Sequence, residues 1–442
     1  MEKIKQSIND KMAGRALPAV IFTIFLDVMG VGILLPIIPQ LLANPNSPYY
    51  LLPAGWTFQD GLILLGWLVA IYPLMQFLST PILGQLSDRF GRKKLLGFSI
   101  AGTAVGYALF AIGIITRNIP LLFFSRALDG ITGGNLSVAQ AVIADVTPPE
   151  KRTKNFALIG AAFGLGFVLG PYIGAKIGSP NTSFFGIFHT PHWFNPATPF
   201  WFATILSTIN VMLIIFLLPE THKHMRHIKI KASQSVRNII KAATYPGLRV
   251  IFPAVFLFWA GFSFFQTFIQ VLLINKLHFT QSNIGDYFAY VGLWIAFTQA
   301  VITPRIAKVR KSYQVLRVSM IAVGIGLFML LWAHNTTQLL LVTPIFAIFV
   351  GQTIANATSL VSTSVGPEIQ GEVLGINFSV QALAQAIPAA LSGYLAVISI
   401  RTPIIAGASI IILGGIWFIA VYRPGKHNFH ENVDQASLNA AH

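Results

Sequence analysis

Two carboxylates and one guanidinium stand inside long apolar runs of this chain: Asp27, Asp129 and Arg126. A charge buried in such a run is expensive, so a function is the first hypothesis for each. An aspartate there can take up and release a proton, whereas an arginine stays charged. Asp27 lies about ten residues into its run, or about 15 Å along a helix, which is close to mid-depth in a bilayer. Protonated Asp27 would release Arg126, and ionised Asp27 would attract it. Such a pair can cycle. Asp129 follows Arg126 by three residues and can share its helix face. It either neutralises Arg126 within one helix or joins the proton coupling.

Amide and aromatic side chains recur in other apolar runs at helical spacing. Asn135 and Gln140 share one run, and Trp259, Gln266 and Gln270 follow a seven- and four-residue spacing. Asn356 stands in a third run, while Asn377, Gln381 and Gln385 repeat every four residues. Stripes of this kind face the interior of a helix bundle, either as interhelical hydrogen bonds or as substrate contacts. A cavity lined by amides and aromatic rings, with few acids, suits an amphipathic organic molecule better than a bare inorganic ion. The chain has no cysteine, which excludes disulfides, thiolate metal sites and cysteine nucleophiles. His222, His224 and His227 lack a nearby carboxylate to complete a metal site and are read as solvated loop residues. No cofactor, resident metal or ATP-binding loop is expected.

The elements that hold these residues are membrane helices. Hydrophobic residues make up 54% of the 442 and charged ones only 10%, against about 25% in soluble chains. Mean hydropathy is +0.68. Apolar runs lie near 17–42, 61–83, 95–116, 120–144, 155–178 and 198–218, then near 249–274, 283–303, 315–333, 338–362, 372–398 and 403–422. Those are spans 1 to 12. The stretches around 133–140 and 352–362 are the weakest, which leaves ten or eleven spans as alternatives. On the twelve-span threading, 25 Lys and Arg fall on one side and 4 on the other, with Arg126 left inside a span. That bias predicts both termini in the cytoplasm and an even number of crossings. It also accounts for the net charge of +16 through anionic lipid rather than nucleic acid. The basic N-terminus precedes an apolar run too long for a signal peptide and lacks a clear cleavage site, so it is expected to stay attached. The polar stretch 219–248 separates six spans from six, giving a bundle at 1–218, a basic cytoplasmic linker, and a second bundle with a short tail at 249–442.

Between spans 2 and 3 the chain reads Gly84-Gln85-Leu86-Ser87-Asp88-Arg89-Phe90-Gly91-Arg92-Lys93-Lys94. Gly84 would permit close helix approach and Gly91 a tight turn with positive φ. This string resembles the loop 2–3 signature of the major facilitator superfamily at every specified position. The resemblance implies a conformational latch, with Asp88 meeting the helix start near Gly371–Val373. The matching loop of the second half, Pro304–Lys311, has Lys308 where the acid would align. In span 5, Gly166, Gly170, Pro171 and Gly174 are similar to the antiporter signature of the same superfamily, with Ala175 in place of its final glycine. Phe25–Pro36 in span 1, Arg126–Gly134 in span 4 and Ala144–Pro148 beyond it resemble tetracycline/proton antiporters and their twelve-span drug/proton branch. Lys176, near the outer end of span 5, is read as a snorkelling structural residue.

The expected protein is therefore an all-α membrane protein with the major facilitator fold, two six-helix bundles, and no enzymatic activity. The resemblance implies a monomeric, proton-coupled exporter of a small organic compound in the plasma membrane, the inner membrane if bacterial. A metabolite or siderophore porter of the same fold, working by symport, is the alternative. Orientation is directly testable in a chain without cysteine. Cys introduced at Ser47 or Asn195 is expected to react with an impermeant thiol reagent from outside, and Cys at Ser233 only once the inner face is exposed. Labelling of all three from one side would refute the topology.

Overall fold

The computed structural model describes residues 2–147, 152–184, 186–221, 237, 240, 248–365 and 370–424. The central linker with its three histidines lies largely outside these residues. Ten helices among the described residues are long and apolar enough to cross a membrane: Ala16–Leu42, Phe58–Phe90, Arg92–Ile115, Thr198–Leu217, Leu248–Leu277, Gln281–Ala307, Ser312–Trp332, Thr336–Thr363, Val373–Ile398 and Thr402–Val421. They are spans 1 to 3 and 6 to 12. Span 4 is two helices, Ile119–Thr132 and Leu136–Val146, joined by the single 3-10 turn Gly133–Asn135. Span 5 is Arg152–Ile177, apolar from Ala162 onward. Each of the twelve expected spans is thus helical.

The two stretches read as weak behave differently. The first is where span 4 breaks at Gly133–Asn135. The second, around 352–362, lies within the unbroken helix Thr336–Thr363. Its polar side chains bond back to the preceding turn: Thr353 donates to the Phe349 carbonyl at 2.9 Å, and Asn356 to that of Gln352 at 2.8 Å. Polar residues satisfied in this way need no helix break. Helix starts follow local chemistry. Thr57 and Asp60 form a reciprocal capping box ahead of span 2, Asn118 and Asn335 cap spans 4 and 10, and Pro120, Pro199 and Pro403 occupy first-turn positions.

The chain divides into two compact units, Met1–Ala232 with Gln270–Gly292, and Ser233–Ile269 with Leu293–His442. The end of span 7 and the start of span 8 therefore group with the first six spans. A second-bundle boundary at 249, read from the sequence, does not separate them in this way. Within the first unit, span 5 lies along span 1 with almost no side chain between them. A Cβ at Gly170 would sit 2.5 Å from the Met29 carbonyl oxygen, one at Gly174 equally close to that of Ile33, and one at Gly166 within 3.0 Å of the Phe25 carbonyl. From the other side, a Cβ at Gly32 would meet Pro171 at 2.7 Å. The glycine stripe expected to admit a close neighbour therefore admits span 1, and it fixes the height of Asp27 against span 5. In the second unit, span 7 approaches span 12 equally closely, through Gly261 and Gly407.

This packing predicts a contrast between neighbouring glycines of span 5. Gly170→Ala has no room and is expected to lower stability by about 1–3 kcal/mol through overpacking. Gly164→Ala, where nothing lies within 4 Å of the added carbon, should leave it unchanged. Thermal aggregation midpoints in detergent would separate the two, and equal shifts would contradict the packing.

Candidate functional site

The first unit gathers three of the predicted charges and one amide around spans 1 and 4. Arg126 and Asp129 form an ion pair at 2.5 Å, with side chains only 5% and 4% exposed. One turn of helix places them side by side, so no second helix is needed to neutralise the arginine. The guanidinium also lies 4.4 Å from the centre of the Tyr72 ring, a cation–π contact across to span 2. Thr103 of span 3 adjoins the Asp129 carboxylate, and its hydroxyl lies 3.2 Å from that of Thr132. Gln76 donates to the Gly133 carbonyl at 2.9 Å, which anchors the broken part of span 4 to span 2.

Asp27 is left over. Its Oδ2 is shut off from solvent and has no hydrogen-bond partner, and Asn135 stands beside it, short of hydrogen-bond geometry at both ends of its amide. The expected pairing of Asp27 with Arg126 is not what the structure shows, because Asp129 holds the guanidinium instead. Gly30, one turn beyond Asp27, explains part of the geometry. The Tyr107 hydroxyl occupies the space a Cβ would fill there, so this tyrosine reaches the wall of span 1. Neither Tyr72 nor Tyr107 was expected from the sequence. Each is one buried aromatic among many, and only the fold turns it toward a charge.

At one end of the same unit, the loop 2–3 residues form a charged cluster. Arg92 pairs with Asp88 at 2.7 Å and with Asp145 at 3.3 Å. It also bonds to the Ser87 hydroxyl. Thr221 donates to the same Asp145 oxygen at 3.2 Å. The Glu220 carboxylate accepts the backbone N–H groups of Arg92 at 2.9 Å and Lys93 at 3.3 Å, so it caps the start of span 3. Gly91 has φ of 97° and leaves the room this carboxylate occupies, as expected of a turn glycine. The reading of Gly84 needs correction. A Cβ there would lie 3.9 Å from Ser137, an ordinary contact, so close approach does not require that glycine. Arg89 lies outside the cluster, 5.1 Å from the centre of the exposed Phe90 ring. The helix start near Gly371–Val373, the expected partner of Asp88, adjoins residues 366–369, which lie outside the described residues.

The family model of the Major Facilitator Superfamily matches residues 20–389 and again 251–439. The chain belongs to the Major Facilitator Superfamily. It is 30% identical to the class E tetracycline resistance protein of Escherichia coli over 379 residues, covering 82% of this chain and 84% of that protein. It is 24% identical to multidrug resistance protein 2 of Bacillus subtilis over 441 residues, 99% of this chain and 100% of the other. Among solved structures, the human organic anion transporter MFSD10 superposes with a TM-score of 0.68 at 22% identity, covering 91% of this chain and 99% of that one. The last likeness shows the fold.

As a major facilitator, the chain is a multi-pass membrane transporter and not an enzyme, and the remaining candidates are weighed as cavity residues. In the second unit, Asn356 bonds within its own helix to Gln352, whose amide reaches Thr303 at 3.1 Å. Gln352 is buried and was not singled out from the sequence. Gln385 bonds back toward Gln381 at 3.4 Å, while its own carbonyl accepts from Ser263 at 2.9 Å. Asn377 differs, since its buried Oδ1 has no partner. Trp259 stands edge-on to Phe258 and Phe262, and Gln266 and, in the first unit, Gln140 are half-buried. Gln270 is buried and groups with the first unit.

The ion pair of span 4 predicts an asymmetry. Asp129→Asn strands a buried guanidinium and is expected to cost about 3–5 kcal/mol, seen as loss of protein from the membrane. Adding Arg126→Gln to that variant should restore abundance. If the double variant is no more abundant than the single one, the pair is not what holds span 4.

Proposed function

We propose that this transporter exports a small amphipathic organic compound, of the polycyclic drug type named for its relatives, in exchange for protons by alternating access. The observation that carries the reading is Asp27, a mid-span carboxyl with a buried, unpartnered oxygen beside a pair that already neutralises itself. Two carboxyls and one guanidinium leave a single negative charge when all are ionised. One proton removes it. An ionised carboxyl in that setting is tolerable only with a counter-charge or with water, so the protonated and ionised forms favour different conformations. That difference in affinity is what exchange of proton for substrate requires.

Asp27, Arg126 and Asp129 are the coupling residues in this reading. Asp88, Arg92 and their neighbours are the inner latch. Asn135, Gln140, Trp259, Gln266, Gln270, Asn356, Asn377, Gln381 and Gln385 are the pool from which substrate contacts are drawn, with Asn135 and Asn377 foremost because both amide ends of the first and the Oδ1 of the second are buried without a partner. The protein works as a monomer in the plasma membrane, surrounded by lipid, with both termini in the cytoplasm and no nucleic-acid partner.

The test uses labelled tetracycline and labelled ethidium in whole cells, with and without a proton uncoupler. The expected result is lower accumulation of at least one probe in expressing cells, abolished by the uncoupler. Asp27→Asn fixes the neutral form, and it should retain probe binding while losing uphill export. An Asn variant that still pumps against a gradient would remove Asp27 from the role and pass it to Asp129.

A further inference from the structure

Spans 5 and 6 are joined by a short β-ribbon. Ser183–Phe184 and Phe188–His189 pair antiparallel, with Phe184 opposite Phe188 and their ring centres 5.1 Å apart. The buried Thr190 fixes its base. The Thr190 hydroxyl donates to the Ser179 carbonyl at 2.7 Å and accepts the Thr182 N–H at 2.8 Å, and the Thr190 N–H donates to the Thr182 carbonyl at 2.9 Å. The Phe184 ring centre lies 5.7 Å from that of Tyr172 on span 5. This end of span 5 is itself held. Lys176 is buried and does not snorkel: its Nζ donates to Asp286 Oδ2 at 2.9 Å and to Ser282 Oγ at 2.7 Å, both on the first turns of span 8. Beside them, a Cβ at Gly285 would overlap that of Ala175.

What the ribbon presents is apolar. Ile187 is 82% exposed, Phe188 51%, and Trp193, just beyond the ribbon, 63%. Residues 177–219 contain no Asp, Glu, Lys or Arg, so the loop carries no formal charge. A two-stranded ribbon surrounded by water is marginal, and an exposed apolar cluster marks a contact with a partner or a membrane. Here the membrane is adjacent. The loop leaves span 5 at Ile177 and enters span 6 at Thr198, so both of its ends stand at the bilayer surface. Span 6 carries an exposed apolar stripe, Trp201, Ile205, Met212 and Phe216, at four- and seven-residue spacing, which is the face that lipid covers. Ile187 stands three residues from Thr190, about 10 Å of extended chain at most. The headgroup layer on one side of a bilayer is about 5–8 Å deep. A ribbon that leans over therefore leaves its tip in that layer, where aromatic rings are favoured.

We propose that the ribbon is a membrane-surface anchor, in which Ile187, Phe188 and Trp193 insert among the lipid headgroups at this end of the first unit. The bonds of Thr190 make it a fixed arm and not a loose loop, so it sets the depth at which spans 5 and 6 leave the bilayer. The anchor needs neither substrate nor proton.

Ile187→Cys in the otherwise cysteine-free chain takes a nitrobenzoxadiazole label at an exposed site that packing does not need. The labelled protein is reconstituted into phosphatidylcholine vesicles with and without lipid that carries a nitroxide quencher near the top of its acyl chain. Quenching by this lipid is expected to be about three-fold stronger than for the same label at Asn46→Cys, an exposed residue between spans 1 and 2. Iodide in the water should show the reverse order. Adding Phe188→Ser and Trp193→Ser keeps the backbone pairing and should bring lipid quenching at residue 187 down to the Asn46 level. Should that variant fail to fold, the comparison of the two labels stands without it. A label at residue 187 that the lipid quenches no more than the one at Asn46 overturns the anchor, whether iodide reaches it or the ribbon folds against the protein. So does strong lipid quenching that survives both serines, because these side chains would then not hold the ribbon in the membrane.

Discussion

An ionised side chain in hydrocarbon has to be cancelled by a partner or neutralised by a proton, and the arrangement of spans 1 to 5 follows from meeting that demand for three groups. Arg126 is permanently charged, so it takes a permanent partner one turn away and a second, weaker one in the Tyr72 ring. Asp27 has no such partner. Asp129 holds the guanidinium, and one Asp27 oxygen is left buried without a partner. In the proposed coupling, the acid that looks like a redundancy in the sequence is what leaves its neighbour to exchange the proton.

The helix packing serves the same end. Spans 1 and 5 approach through glycines, so Asp27 is carried on a helix whose backbone is fixed against its neighbour, not cushioned by mobile side chains. Gly30 lets Tyr107 reach span 1 one turn from Asp27, and the 3-10 turn at Gly133–Asn135 brings Asn135 beside it. A rigid frame matters because a carboxyl that could move to water would never be forced to choose between proton and counter-charge.

The helical architecture was legible because its signal is long and redundant. Each span needs about 20 apolar residues, and the basic residues mark which ends share a side. The loop 2–3 signature was equally clear, since a solvated basic turn calls for neither an acid nor a turn glycine among its bases. Partners across space were not legible. Glu220 sits in a Leu-Pro-Glu-Thr string 128 residues from the Arg92 amide it caps, and no local pattern links them. Tyr72 and Tyr107 carry no spacing that sets them apart from lipid-facing aromatics. Lys176 was legible as a residue and misread as to its state, because snorkelling and ion pairing look the same until the opposing helix is known.

The contacts of span 5 differ in kind along its length. Its middle is locked to span 1 by backbone contact, and its far end is tied to span 8 by a charge and two small residues, Ala175 and Gly285. Glycine-to-backbone contacts hold two helices close through packing alone. Charge pairs between a buried ammonium and a half-wet carboxylate are more forgiving, since water replaces the partner as they separate. The acid facing Lys176 is accordingly half-exposed, whereas one oxygen of the acid in span 1 is closed off from solvent.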